Sequence, residues 1–120
     1  MFCEIEESRI IAENELCYAR KDGYPVTESH TLIIPKRHVP DYFDLHQPEI
    51  NAIHRMIQEQ KAFLEGSDDS ITGFNVGVNS GTSAGQTIGH AHVHLIPRRD
   101  GDMDDPRGGV RGVIPEMQNY

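Results

Sequence analysis

The chain has 120 residues, a formal net charge of −8 and 37% hydrophobic residues, which suits one folded domain and leaves little room for a second core. That acidity excludes a broad basic surface for long nucleic acid, and no apolar run approaches the roughly 20 residues of a membrane-spanning helix. Cys3 and Cys17 are too few for a disulfide framework and lack CxxC spacing; with a start, Met1-Phe2-Cys3-Glu4, that does not read as a signal peptide, they point to the cytoplasm.

Arg9-Ile10-Ile11-Ala12 and Leu16-Cys17-Tyr18-Ala19 flank Glu13-Asn14-Glu15 and predict two short strands around a polar turn. Arg20 to Pro25 is a loop by its Gly and Pro content. His30 to Ile34 predicts a third strand, ended by Pro35, which has no amide hydrogen for a ladder. Residues 40 to 45 predict a short turn or helix. The main helix is predicted from Pro48 to Leu64, with Pro48 suited to the first helical position and Gly66 to a stop. Gln47 is a poor cap, and Ile50, Ile53, Ile57 and Leu64 share one stripe at helical spacing. Phe74, Val76 and Val78 alternate with Asn75 and Gly77 as a half-buried strand does. A small-residue loop, Asn79 to Thr87, leads to a fifth strand, His90 to Pro97. From Arg98 onward there is no periodicity. Five strands, one main helix and a short helix or turn make an α+β domain on an antiparallel sheet.

Seven histidines stand out, three of them in His90-Ala91-His92-Val93-His94. On a strand the period of two sends His90, His92 and His94 to one face and Ala91, Val93 and Leu95 to the core. Three adjacent imidazoles contribute little to packing and repel one another when protonated. The chemistry open to them is zinc ligation or nucleophilic attack at phosphorus, with neighbours managing protons and charge. The preceding loop, Ser80-Gly81-Thr82-Ser83-Ala84-Gly85-Gln86-Thr87, favours phosphorus, because its amides and hydroxyls suit phosphate oxygens. The isolated His38, His46 and His54 read as surface or structural residues.

Gly85-Gln86-Thr87-Ile88-Gly89-His90-Ala91-His92-Val93-His94-Leu95-Ile96-Pro97 resembles the signature of the histidine triad (HIT) family, His-φ-His-φ-His-φ-φ with φ apolar. Asp22 to Pro25 and Ser29 to His38 resemble the family's other block, in the right order and with the helix between. The resemblance implies a HIT-like fold and a hydrolase or nucleotidyl transferase acting at the α-phosphorus of dinucleoside polyphosphates or nucleoside phosphoramidates. A nucleotide-binding regulatory module with negligible turnover is the alternative. Carried over by position, His92 is the nucleophile and forms a nucleotidyl-histidine. The carbonyl of His90 holds its other nitrogen, His94 contacts phosphate or leaving group, and His30 pairs with His90. Asp22 would hold the ribose, Asn79 and Gln86 the phosphate or the loop, and Thr87 would reach the phosphate or departing group. Arg20 and Gly23 stand where relatives of the phosphoramidase type carry apolar residues around the base. The resemblance further implies a purine nucleotide substrate, no cofactor or metal in the core chemistry, and a homodimer formed through sheet edge and helix.

This reading divides the chain into a single catalytic domain over residues 1–97 and a Gly/Pro/Arg-rich tail over 98–120, packed on or near the site. In the tail, Arg107 and Arg111 either reach a polyphosphate or pair with Asp102, Asp104 or Asp105.

Overall fold

The computed structural model describes residues 9–120; Cys3 and the rest of residues 1–8 lie outside the described residues. Strands β1 (Ile10–Glu13), β2 (Cys17–Lys21), β3 (Thr31–Pro35), β4 (Ile71–Gly77) and β5 (Val93–Arg99) form one antiparallel sheet in the order β1-β2-β3-β5-β4. The helix α1 (Gln47–Ser67) connects β3 to β4, preceded by a 3-10 turn at Tyr42–Asp44. The α+β architecture expected from the sequence is therefore the observed one. Among the described residues no helix is long and apolar enough to cross a membrane.

The first hairpin turns on Asn14. Its Oδ1 accepts the amides of Leu16 and Cys17 at 3.0 and 2.9 Å, and its Nδ2 donates to the Ala52 carbonyl of α1. One asparagine thus sets the turn and docks it on the helix.

The start of α1 is fixed by Glu49, in its first turn. Glu49 Oε1 accepts the His46 amide at 2.8 Å, while both carboxylate oxygens of Glu49 receive the Arg37 guanidinium at 2.8 and 3.1 Å. That two-pronged pair holds the Glu49 carboxyl below the usual carboxylate range despite its burial. Gly66 does not stop the helix, which continues to Ser67 before the Asp68 amide bonds the Leu64 carbonyl.

The buried stripe of α1 is Ala52, Ile53, Met56 and Leu64, joined by Glu49 and Gln60. It is rotated from the expected one, for Ile50 and Ile57 are only half-buried. Both border a groove of about 310 Å³ between α1 and β4. Under α1 the buried stripe meets Cys17, Ala19, Ile33 and Val93 from the sheet and Ala91 just ahead of β5, and a second cluster joins Leu64 to Ile71 and Leu95. Each fully buried Ile, Val, Leu or Met among them contributes about 1.5–3 kcal/mol of hydrophobic stabilisation. On the opposite face Tyr18, Leu32 and Ile34 make a smaller cluster. β3 is buried along its whole length, as a strand covered on both faces must be.

The fifth strand begins later and ends later than expected. Residues 90–92 lie outside the ladder because the Ala91 amide donates instead to the Val39 carbonyl at 2.6 Å. At the other end Gly73 pairs with Arg98 and Ile71 with Arg99, so the strand runs two residues past the boundary placed at 97. Pro97 fits in this central strand because pairing with β3 ends at Leu95, and no ladder bond on that side calls for its amide. The Pro97 carbonyl accepts the Thr27 hydroxyl at 2.6 Å.

At the end of β5, Arg98 chelates Asp102 and reaches Asn75, and Arg99 binds Asp68. These guanidinium bonds hold both aspartates down to about 2. Residues 109–113 and 115–117 form two 3-10 turns, and none of residues 100–120 is buried.

Candidate active site

The histidines sit where β3 and β5 meet, and their hydrogen bonds assign a tautomer to each. His90 is 3% exposed and its Nε2 lies 2.9 Å from the Pro35 carbonyl, so that nitrogen carries the proton. His92 Nδ1 lies 2.9 Å from the His90 carbonyl. A carbonyl only accepts, so His92 carries its proton on Nδ1 and its Nε2 offers a lone pair.

His30 is fixed from the other side. Its Nδ1 accepts the Val26 amide at 3.0 Å, which leaves the proton on Nε2. That Nε2 lies 2.9 Å from His94 Nδ1 and 3.4 Å from Asp22 Oδ2. His94 Nδ1 therefore accepts, and His94 presents Nε2–H as a donor. The rings of His92 and His94 lie 5.1 Å apart.

Two sequence expectations change here. His30 bonds His94 and not His90, and His90 does not share a surface with the other two. It turns inward, edge-on to His38 at 5.0 Å, because the chain ahead of β5 is tied to the loop after β3. His38, expected to be a surface or structural residue, is exposed and stands edge-on to His90. Burial holds His30, His90 and His94 below the ordinary histidine value, with neighbouring histidines adding to the shift at His90 and His94. Asp22 opposes that fall at His30 and His94.

A cavity of about 320 Å³ opens beside His92 and His94, with Asp22, Asn79, Gln86 and Thr87 on its wall. All eight residues singled out in the sequence thus lie at or beneath one site, His30 and His90 from below. Arg20 and Gly23 also line this cavity, together with Arg9, Tyr24 and Leu32. Two arginines thus stand beside Asp22, while Tyr24, Leu32 and Ile88 supply the apolar part of the wall.

Gln86 spends its amide on the loop. Its Oε1 accepts the Gly81 amide at 2.9 Å, and its Nε2 donates to the carbonyls of Pro40 and Ile88 at 2.7 and 3.0 Å. The loop turns at Gly81 and Gly85, whose φ values of 86° and 95° favour glycine. Asn79 and Thr87 remain exposed on the cavity wall.

For a metal, the donor atoms that come together among the described residues belong to Asp22, His30 and His94, all within 4.8 Å of one another. The trio His90, His92 and His94 considered from sequence does not form such a group, since His90 faces the Pro35 carbonyl.

A second cavity, of about 560 Å³, lies on the far side of His94, between the sheet and residues 103–118 of the tail. Arg107 and Arg111 are not on its wall. Arg107 lies 3.7 Å from Asp105, the pairing alternative raised above, and Arg111 donates to the Met117 carbonyl while its guanidinium sits over Tyr120.

An antiparallel five-stranded sheet, crossed by one helix and carrying four interlocked histidines beside a glycine-turned loop, is the architecture of a histidine triad domain. The HIT domain family model matches residues 4–101, and the chain belongs to the HIT family. It is similar to a protein of Mycobacterium tuberculosis named AP-4-A phosphorylase, 38% identical over 116 residues, covering 93% of this chain and 58% of the relative. It also resembles a bis(5'-adenosyl)-triphosphatase of Dictyostelium discoideum, 33% identical over 101 residues, 84% of this chain and 67% of the relative. The structure superposes on a zinc-bound histidine triad family protein from Mycobacterium smegmatis with a TM-score of 0.72 at 34% identity, covering 78% of this chain and 67% of that one.

Proposed function

We propose that this chain cleaves or transfers nucleotides at the α-phosphorus of dinucleoside polyphosphates or nucleoside phosphoramidates, through a covalent nucleotidyl-His92 intermediate. The observation that carries this reading is the tautomer of His92. In the neutral ring the His90 carbonyl holds the proton on Nδ1, which makes Nε2 the nitrogen whose lone pair can attack phosphorus, and His92 stands in the wall of the cavity.

In the proposed first step the phosphorus–Nε2 bond forms as the bond to the leaving group breaks. The departing atom takes up a proton, with the Thr87 hydroxyl on the cavity wall to pass it. His94 Nε2–H donates to a phosphate oxygen and offsets the charge that builds there. Asp22 receives the ribose hydroxyls. Water then attacks phosphorus as the phosphorus–Nε2 bond breaks; its proton replaces, through Thr87, the one given to the departing group, and the nucleotide leaves with His92 restored. The names of the mycobacterial and Dictyostelium relatives favour dinucleoside polyphosphates among the substrates.

The test is to mix the protein with adenosine 5′-phosphoramidate or diadenosine triphosphate, quench within one turnover and weigh the peptide that contains His92. The peptide should carry one added nucleotidyl group. His92→Asn should abolish that adduct and lower kcat by about a thousandfold or more while nucleotide still binds. Turnover within about tenfold of wild type in that variant would end the assignment. Binding without turnover in the wild type would leave a nucleotide-binding module.

The same reading includes a homodimer. β4 is an edge strand, Val76 on it is 47% exposed, and the adjoining groove carries Ile50 and Ile57. A second copy laid along β4 would pair the open edge and cover the groove. Val76→Lys should then shift the protein to monomer in sedimentation.

A further inference from the structure

We propose that the chamber between β4–β5 and the C-terminal tail is a leaving-group subsite, which takes the ring system attached beyond the scissile bond. The inference rests on the nucleotide reading of the site.

Four observations converge on it. The first is adjacency: the chamber and the cavity beside His92 share His94 and Asn79 as a common wall. A phosphorus held between them has His92 on the one side only, so a group that departs opposite to His92 moves toward the chamber. Gly77 lies directly across from His94 in the β4–β5 register, and a Cβ built there would meet open space.

The second is a concentration of exposed apolar side chains. Val26, Val76, Met103, Val110 and Val113 all line the chamber, and they are 70, 47, 42, 66 and 79% exposed. Exposed apolar residues are ordinary when scattered; gathered around one concavity next to a reactive histidine they mark a binding surface.

The third is charge. Among the described residues the only arginine or lysine lining the chamber is Arg98, and Asp102 already chelates it. The cations beside the site, Arg9 and Arg20, lie on the Asp22 side. The chamber is therefore suited to an uncharged ring and not to a run of phosphates. Asn75 and Gln118 on its wall supply polar groups for a heterocycle.

The fourth is size. About 560 Å³ lies within the range of pockets that hold small organic ligands, and a nucleobase or an indole fits within it.

Either a second nucleoside or an aromatic amine has this chemistry, and one experiment separates them. Full-length His92→Asn protein is titrated by calorimetry with three ligands: adenosine 5′-phosphoramidate, its indolylethyl-substituted form and diadenosine triphosphate. A ring-bearing ligand should bind at least about tenfold more tightly than the unsubstituted phosphoramidate. The ligand that shows the gain identifies the source of the ring. Adding Val110→Trp, which fills the chamber, should cut the gain below about threefold. Val113→Glu should do the same by placing a carboxylate on the apolar wall, and it serves if the first variant folds poorly.

Equal binding of all three ligands overturns the inference, as does a gain that survives both substitutions. A change of oligomeric state without any ring preference also overturns it, for a second copy would then be the occupant. Absence of nucleotide binding altogether would fell the nucleotide reading and this inference with it. Turnover absent from the wild type, with the ring preference intact, would fell only the proposed chemistry.

Discussion

The histidine floor and the tail that arches beside it are held in different ways. His30 is 2% exposed and each of its nitrogens has a fixed partner; His90 is 3% exposed and tied to the Pro35 carbonyl. The tail has no buried residue, and its turns are pinned mainly to one another. Gln118 Nε2 reaches the Asp105 carbonyl at 3.2 Å, and Arg111 reaches that of Met117. A reacting group must be placed to within a fraction of an ångström, so its supports are drawn from the core. A segment that shapes selectivity is free of that demand and can lie where local opening costs little.

The contrast breaks if the floor proves soft. His30→Leu removes the acceptor of the Val26 amide and the donor to His94, leaving polar groups unpaired in a nearly closed space. Stability to urea should fall by about 1–3 kcal/mol, and kcat by at least about tenfold because His94 no longer has its tautomer fixed. An unchanged urea midpoint would show that this part of the floor is not a support.

A smaller effect sharpens the comparison through pH. His30, His90 and His94 have folded values below the ordinary 6.5 because burial disfavours their charged forms. In the unfolded chain they take up protons near 6.5, while in the folded chain they resist until lower pH. Their contribution is thus fully present above 6.5 and is lost as pH falls through the folded values. Urea midpoints should decline between pH 7 and 5, and the decline should be shallower in His30→Leu. Asp68 and Asp102, held down to about 2, lose their share only well below this window. A midpoint that stays level across it would contradict the burial of these rings.

The smallest expected effect lies in the tail. Gln118→Ala should change global stability by no more than about 0.5 kcal/mol, since the residue is partly exposed and its bonds are local. Limited proteolysis should nonetheless cut residues 100–120 sooner than in wild type. Loss of several kcal/mol would show that the tail belongs to the core.

Much of the floor was legible in the sequence because it rests on short-range rules. The period of two placed Ala91, Val93 and Leu95 in the core, and all three are buried. The bond between the His90 carbonyl and His92 Nδ1, two residues apart, was expected from the family resemblance. What escaped depends on contacts distant in sequence. Nothing near His90 announces that Ala91 will bond Val39, so the later start of β5 and the inward turn of His90 were out of reach. The link from His30 to His94 spans 64 positions, and the one from Arg37 to Glu49 crosses a loop. The tail has no periodicity at all, and it turns at Gly101, Gly108 and Gly109, each with a positive φ. At Gly108, where φ is 88°, a Cβ would fall on the Gln118 carbonyl, so that position admits glycine alone.

Cys17 also carries a consequence. Its thiol is wholly covered between β2 and α1, and burial pushes it up to about 11. A covered, protonated thiol does not attack disulfide reagents. Modification of the Cys17 peptide must therefore wait until strand and helix part, which makes it a clock for the opening of the layer on which His92 and His94 stand. Comparing that clock with and without bound nucleotide would time how occupation of the upper face of the sheet slows the lower face.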